Sequence, residues 1–254
     1  MRIDPTKLTP GEDLLWRHGI TAPEHIKLDA IAEAEGAEVR YRPLGGCEAR
    51  LVVLGDRGII SVKSDGANPG RQRFSLAHEL AHWMRDRRAG GLLCASDDIS
   101  PSNIEARSIE SEANAYASQL VLPDYLVAQR APSIAITLDG AQILAREFRS
   151  SLTSAAIKLV RHATLPACVV CHRQNATAWF YKGRAWPSGV WIAQELHYDS
   201  PAFSLLYGDA GGRTPPHKEP ATRWVSGTSF VSREVRCQSM KVPDGTVLTV
   251  LDFQ

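Results

Sequence analysis

The chain has 254 residues, 44% hydrophobic and 22% charged, a balance that excludes a disordered polypeptide and leaves room for one large core or two small ones. Its 29 Lys and Arg against 28 Asp and Glu create no global field for nucleic acid, so any such contact must come from a local patch. No apolar run reaches the roughly 18 residues of a membrane span, the start MRIDPTKLTPGEDLLW lacks the layout of a secretory signal, and five scattered cysteines (Cys47, Cys94, Cys168, Cys171, Cys237) suit a reducing compartment; the expected location is cytoplasmic, with no membrane partner.

The front of the chain reads as helix, helix, then strands. Pro23-Glu24-His25 opens an amphipathic run with Ile26, Leu28, Ile31 and Ala32 at helical spacing, ended by Gly36. Short strand-like runs follow at Glu38–Tyr41, Leu51–Leu54 and Ile59–Val62, punctuated by glycine turns. The pattern predicts a helix from about Gln72 to Arg87, an irregular polar loop over about 89–103, and a helix over about Ser102–Leu122 that halts at Pro123. Two further helical pieces, about Asp139–Phe148 and Leu152–Ala163, flank the turn Arg149-Ser150-Ser151. From Pro166 onward Val, Trp, Tyr and Thr runs broken by Gly and Pro signal a β-rich module. The expected organisation is a mixed α/β part over 1–165 and a β-rich part over 166–254.

Chemistry concentrates in Phe74-Ser75-Leu76-Ala77-His78-Glu79-Leu80-Ala81-His82-Trp83. At about 100° per residue, positions i and i+4 share one helix face, so both imidazoles can reach one ion. Glu79 projects beside them, where it can take a proton from a metal-bound water, the two-His-plus-base arrangement of zinc peptidases. Three fixed positions leave room for chance, so the surroundings must decide.

Catalytic zinc wants three protein ligands and an open position. No third histidine follows at the short metzincin spacing, so a carboxylate from a later helix is expected. In Ile109-Glu110-Ser111-Glu112-Ala113-Asn114-Ala115-Tyr116-Ala117 through Leu120-Val121-Leu122-Pro123, the residues Ile109, Ala113, Tyr116, Ala117, Leu120 and Val121 form one apolar arc. Glu110 projects within that arc and Glu112 points away from it. A carboxylate on a buried face needs a partner, and zinc or a neighbouring arginine can be that partner. Asn114, one turn on, can brace a ligand from behind.

These residues resemble a known family. Arg73-Phe74-Ser75-Leu76-Ala77-His78-Glu79-Leu80-Ala81-His82, followed by Glu110-x-x-Ala113-Asn114-Ala115-Tyr116-Ala117 and ending Leu120-Val121-Leu122-Pro123, is similar to the ImmA/IrrE-type zinc peptidases over about residues 25–165. The family's usual Leu-Leu-Met-Pro is Leu120-Val121-Leu122-Pro123 here. The resemblance implies a gluzincin-like enzyme that cuts a helix-turn-helix repressor and so releases a stress-response, mobile-element or phage-defence operon. It implies zinc as cofactor, His78, His82 and Glu110 as ligands, and Glu79 as the base. It also implies a C-terminal sensor, GAF-like in some members, whose signal would be a nucleic acid or a small molecule. The oxyanion-stabilising residue carries no motif.

Three other constellations have a functional and a plain reading. Cys94, in the loop between the ligand pair and Glu110, is either an inhibitory fourth zinc ligand or an ordinary loop cysteine. Cys168-Val169-Val170-Cys171-His172 imitates a haem attachment motif, but in a strand its two cysteines fall on opposite faces, which favours plain core packing. Leu138–His162, with Arg146, Arg149, Lys158 and Arg161, has helix-turn-helix texture, yet short helix pairs are more often scaffold than DNA readers. The expected fold is therefore α+β: a zincin-like metallopeptidase domain with a helical subdomain, then a β-rich regulatory domain. The rival from another class is a DNA-binding regulator with a structural, non-hydrolytic zinc.

Overall fold

A computed structural model of the chain describes residues 3–65, 69–86, 104–208, 211–227 and 233–253. By packing, the chain divides into two units, Met1–Leu126 with Arg146–Ser151 and Val127–Ala145 with Leu152–Gln254. The two helices on either side of Arg149 thus contribute most of their residues to the second unit, although in sequence they continue the front part.

The first unit runs α1 (Pro10–Arg17), α2 (Leu28–Ala34), β1 (Ala37–Arg42), β2 (Ala49–Leu54), β3 (Arg57–Lys63), α3 (Pro69–Asp86) and α4 (Ile104–Val121). Its three strands lie in the order β1-β3-β2, with β1 parallel and β2 antiparallel to β3. The amphipathic run after Pro23 is not one helix. Pro23–His25 is a single 3-10 turn and the α-helix begins only at Leu28.

Against the sheet packs α3, whose Leu76, Ala77, Leu80, Ala81 and Trp83 are all buried. Trp83 is the largest of these side chains. Its indole lies where a β-carbon on Gly58 of β3 would come within 2.9 Å of ring atom Cε3, so only glycine leaves room there. The indole N–H donates to the Glu35 carbonyl at 2.8 Å, which satisfies the polar edge of an otherwise apolar ring. Anchored in this way, α3 presents its next face to α4.

Pro123 ends α4, as expected from its missing N–H, but a new helix, α5 (Asp124–Arg130), starts at the following residue. The reason is distant in sequence. Glu12 on α1 is buried, and its Oε1 accepts from the backbone N–H of Asp124 at 2.6 Å and of Tyr125 at 3.3 Å. Its Oε2 accepts from the N–H and hydroxyl of Thr9 at 2.9 and 2.6 Å. One carboxylate therefore satisfies orphan donors at the starts of two helices.

The second unit contains most of α6 (Leu138–Phe148), α7 (Leu152–Arg161), β4 (Ala167–Arg173), β5 (Ala176–Lys182), β6 (Trp191–Ile192), α8 (Pro201–Tyr207), β7 (His217–Pro220), β8 (Val225–Ser226), β9 (Glu234–Lys241) and β10 (Val247–Asp252). A five-stranded sheet of order β5-β4-β10-β9-β7 has antiparallel pairing throughout, so the tail is β-rich. Every residue of β10 is buried, as are the first six of β4, which marks these as the covered centre of the sheet. Cys168, Trp224, Val235, Leu251 and Phe253 belong to one core cluster. In α7, Ala155, Ala156, Lys158, Leu159 and Val160 are buried and the helix packs on β4 and β5. The apolar face of α7 is thus occupied against the sheet. The tail also holds a helix its composition concealed: α8, capped by the Ser200 hydroxyl, packs on β9 and β10.

No helix among the described residues is long and apolar enough to cross a membrane.

Candidate metal centre

His78 and His82 lie one turn apart on α3, and Glu110 lies on the first turns of α4, which packs alongside. Their side chains converge. The two Nε2 atoms are 3.1 Å apart, His78 Nε2 is 3.2 Å from Glu110 Oε2, and His82 Nε2 is 3.3 Å from Glu110 Oε1. Bond lengths of about 2.0–2.2 Å in a tetrahedral zinc site put ligand atoms about 3.3–3.5 Å from one another, so a cation fits with shifts of a few tenths of an ångström. The His82 side chain is 1% exposed, that of His78 17% and that of Glu110 31%, so the donors range from buried to half-buried.

The hydrogen bond behind His78 fixes its tautomer. His78 Nδ1 stands 3.1 Å from Asn114 Oδ1. With the amide oxygen there as acceptor, Nδ1 carries the hydrogen and Nε2 is left with a lone pair aimed at the other two donors. Burial and the neighbouring His82 push the His78 imidazole below its ordinary value, against a smaller upward pull from Glu110. The neutral ring this favours is the form that binds a metal. Each imidazole Nε2 thus faces one oxygen of the Glu110 carboxylate at just over 3 Å, a grouping of donors that a divalent cation would satisfy.

Glu79 is 3% exposed on the same helix. Glu112 does not join the group. It forms an ion pair with Arg85 and accepts from the Ser108 hydroxyl at 3.3 Å, with 59% of its side chain exposed. Cys94 lies outside the described residues. Cys168, Cys171 and His172 line up along β4, with Cys168 in the core and the Cys171 thiol facing the Thr246 hydroxyl at 3.3 Å. The His172 ring faces the Ala193 carbonyl at 3.3 Å. Trp83 and Arg85 carry no role in the sequence reading. The available signal was a large aromatic immediately after the second histidine, on a face otherwise made of Ala and Leu.

Comparison with known proteins places this geometry in a family context. The profile of the IrrE N-terminal-like domain, Peptidase_M78, matches residues 32–160, just over half of the chain and inclusive of every residue of the cluster. The radiation response metalloprotease IrrE of Deinococcus radiodurans is 25% identical over 161 residues, which are 61% of this chain and 46% of that protein. The chain thus spans about half the length of that relative. A solved structure described as a Mycobacterium tuberculosis transcriptional regulator superposes with a TM-score of 0.60 at 14% identity, over 96% of this chain and 74% of the other, a likeness of fold.

Proposed function

The chain belongs to the IrrE N-terminal-like family of metallopeptidases, and from that premise we propose that it is a zinc-dependent, gluzincin-like endopeptidase that cleaves a helix-turn-helix transcriptional repressor at a specific site. The observation that carries the reading is the convergence of three side chains: His78 Nε2 and His82 Nε2 are 3.1 Å apart, and each lies 3.2–3.3 Å from one of the two carboxylate oxygens of Glu110. Two imidazoles and one carboxylate are the donor set of a catalytic rather than a structural zinc site, because three protein ligands leave a coordination position open.

Zinc held there supplies Lewis-acid polarisation and acidifies a water. His78, His82 and Glu110 would hold the ion, with Asn114 keeping the His78 ring in the ligating tautomer. Glu79 accepts the proton of the attacking water at its carboxylate and returns it to the nitrogen of the leaving amine. Its burial on α3, next to His78 in the chain, supports that role. The β-rich tail, which the resemblance reads as a GAF-like sensor, is the part that would receive a stress or defence signal as nucleic acid or small molecule; its five-stranded antiparallel sheet is compatible with that role. The reading places the protein in the cytoplasm, where its repressor acts.

A second reading is a DNA-binding regulator whose zinc is structural. The fold likeness to a transcriptional regulator over nearly the whole chain favours it. One variant separates the two. Purified protein is incubated with candidate helix-turn-helix repressors from the same genome, with zinc and after chelation. Zinc-dependent cleavage at one position, abolished in Glu79→Gln while zinc content is retained, supports the peptidase. Intact repressor under every condition, with tight binding of operator DNA by both forms, supports the regulator.

A further inference from the structure

A second convergence of metal-binding side chains lies in the β-rich unit, away in sequence from the histidine pair. Among the described residues β7 is the last strand of the five-stranded sheet, paired with β9. His217 and Glu219, two residues apart on β7, project to the same face. His217 stands directly opposite Cys237 of β9 in the register. Sheet geometry alone therefore brings an imidazole, a carboxylate and a thiol together, and the side chains close on one another. Glu219 Oε1 is 2.7 Å from His217 Nε2, and Cys237 Sγ is 3.3 Å from each of those atoms.

The environment singles the group out. Glu219 is 3% and Cys237 1% exposed, and the His217 side chain is 25% exposed at the rim. His217 Nδ1 lies 2.9 Å from the Pro215 carbonyl oxygen. A carbonyl only accepts, so Nδ1 carries a hydrogen and the Nε2 of a neutral ring is a bare lone pair pointed at a carboxylate. That is the outer support a metal-binding histidine usually has, and the His78–Asn114 pair shows the same pattern. Nor does Glu219 need His217 and Cys237 to make its burial tolerable. Arg223 Nη1 faces its Oε2 at 3.5 Å and the Ser200 hydroxyl donates to Oε1 at 3.0 Å. Two further polar groups on that one oxygen exceed what satisfying the carboxylate requires.

We propose that His217, Glu219 and Cys237 form a second cation site, selective for zinc-class divalent ions, that clips the edge strand β7 to β9. Nitrogen, oxygen and sulfur donors together match a borderline-soft ion and disfavour magnesium or calcium. Bonds of about 2.0–2.1 Å to nitrogen and oxygen and about 2.3 Å to sulfur put neighbouring donors about 3.3–3.6 Å apart. The two contacts to sulfur already fit, and the His217–Glu219 spacing needs to open by roughly half an ångström, which the partly exposed ring permits. The exposed side of that ring is also the entry path. Burial and the Glu219 carboxylate hold the Cys237 thiol well above its ordinary value, so loading the site releases a proton. The ion ties a four-residue edge strand to its neighbour, where an unsupported edge would fray first.

The site is tested in the full chain loaded with Zn2+ or Co2+. Elemental analysis after dialysis should give two ions per chain for the native sequence and one for Cys237→Ser. The His78→Ala/His82→Ala double variant should keep one ion. Loaded with Co2+, it should show a thiolate-to-cobalt charge-transfer band that disappears when Cys237→Ser is added. His217→Gln alters only the rim and repeats the measurement should Cys237→Ser fail to fold; it too should hold one ion. A single ion in the native chain that the double variant loses overturns the proposal, and so does a cobalt spectrum without a thiolate band. In either case the group is a histidine–carboxylate ion pair beside an ordinary thiol. Failure here leaves the peptidase reading untouched, because the two sites share no residue.

Discussion

Alanine at position 110 and alanine at position 112 separate two carboxylates that differ by half a helical turn. Glu110 stands 3.2–3.3 Å from both imidazole nitrogens, whereas Glu112 is turned to Arg85 with 59% of its side chain exposed. A four-ligand zinc site is worth about 10–16 kcal/mol of apparent binding free energy, or roughly 3 kcal/mol per ligand. Glu110→Ala should therefore weaken zinc affinity by about two orders of magnitude, at 1.4 kcal/mol per decade. Removal of an exposed ion pair costs about 0–1 kcal/mol of stability, and Glu112→Ala should leave zinc affinity within about twofold. The assay is competition against a chromophoric chelator, with circular dichroism to establish that both variants fold and with Cys237→Ser in the background so that one site is read. Zinc lost from Glu112→Ala and kept by Glu110→Ala would refute the reasoning, since it would mean that the apolar arc of α4 does not select the ligand.

The remaining expectations concern what holds the cluster in place. Asn114→Ala removes the acceptor behind His78 and should reduce zinc affinity by about 10–100-fold without changing the fold, measured by the same competition. Glu12→Ala strips the acceptor from the N–H groups of Thr9, Asp124 and Tyr125 and should destabilise by about 2–4 kcal/mol in urea unfolding; a loss below about 0.5 kcal/mol would show that water replaces it. Gly58→Ala drives a methyl group into the Trp83 indole and should cost roughly 1–3 kcal/mol. Because Trp83 follows His82, it should weaken zinc binding as well, whereas unchanged affinity would mean that α3 absorbs the shift without moving the histidines.

How far the sequence reaches depends on whether the cause of a feature is local. Helices α3 and α4 are long, with apolar residues at regular spacing, and their limits fall within a few residues of the expected ones. β2 and β3 carry runs of Leu, Val and Ile, and β1 alternates Ala37, Val39 and Tyr41 with charged residues, so all three are legible from local pattern. α5 was not, because a proline reads as a stop and the carboxylate that restarts the helix sits on α1, more than a hundred residues away. α8 was concealed inside a stretch whose average texture is that of strands. β7 was concealed by its own composition: His-Lys-Glu-Pro has almost no strand propensity and contains a residue that cannot donate to a ladder. It is a strand because β9 offers it a register, and as an edge strand it tolerates Pro220 at its end.

The two donor clusters divide along the same line. In the first, the four-residue spacing of His78 and His82 is a property of one helix, and Glu110 follows from the periodicity of another. Local periodicity therefore names the partners even though it gives no distance between them. In the second, His217 and Glu219 lie on a segment with no strand signature, and Cys237 is placed opposite them only by cross-strand pairing twenty residues on. No spacing rule links a histidine to a cysteine across a sheet, since the register that joins them is set by the whole unit. A count of the scattered cysteines treats them alike. What separates Cys237 from Cys168, also buried and also in the core cluster, is the strand beside it: Cys168 faces a core of aliphatic and aromatic side chains, while Cys237 faces an imidazole and a carboxylate. Chemistry carried by tertiary pairing is invisible to composition and motif, and a mixed-donor site on a polar edge strand is where such chemistry is most readily overlooked.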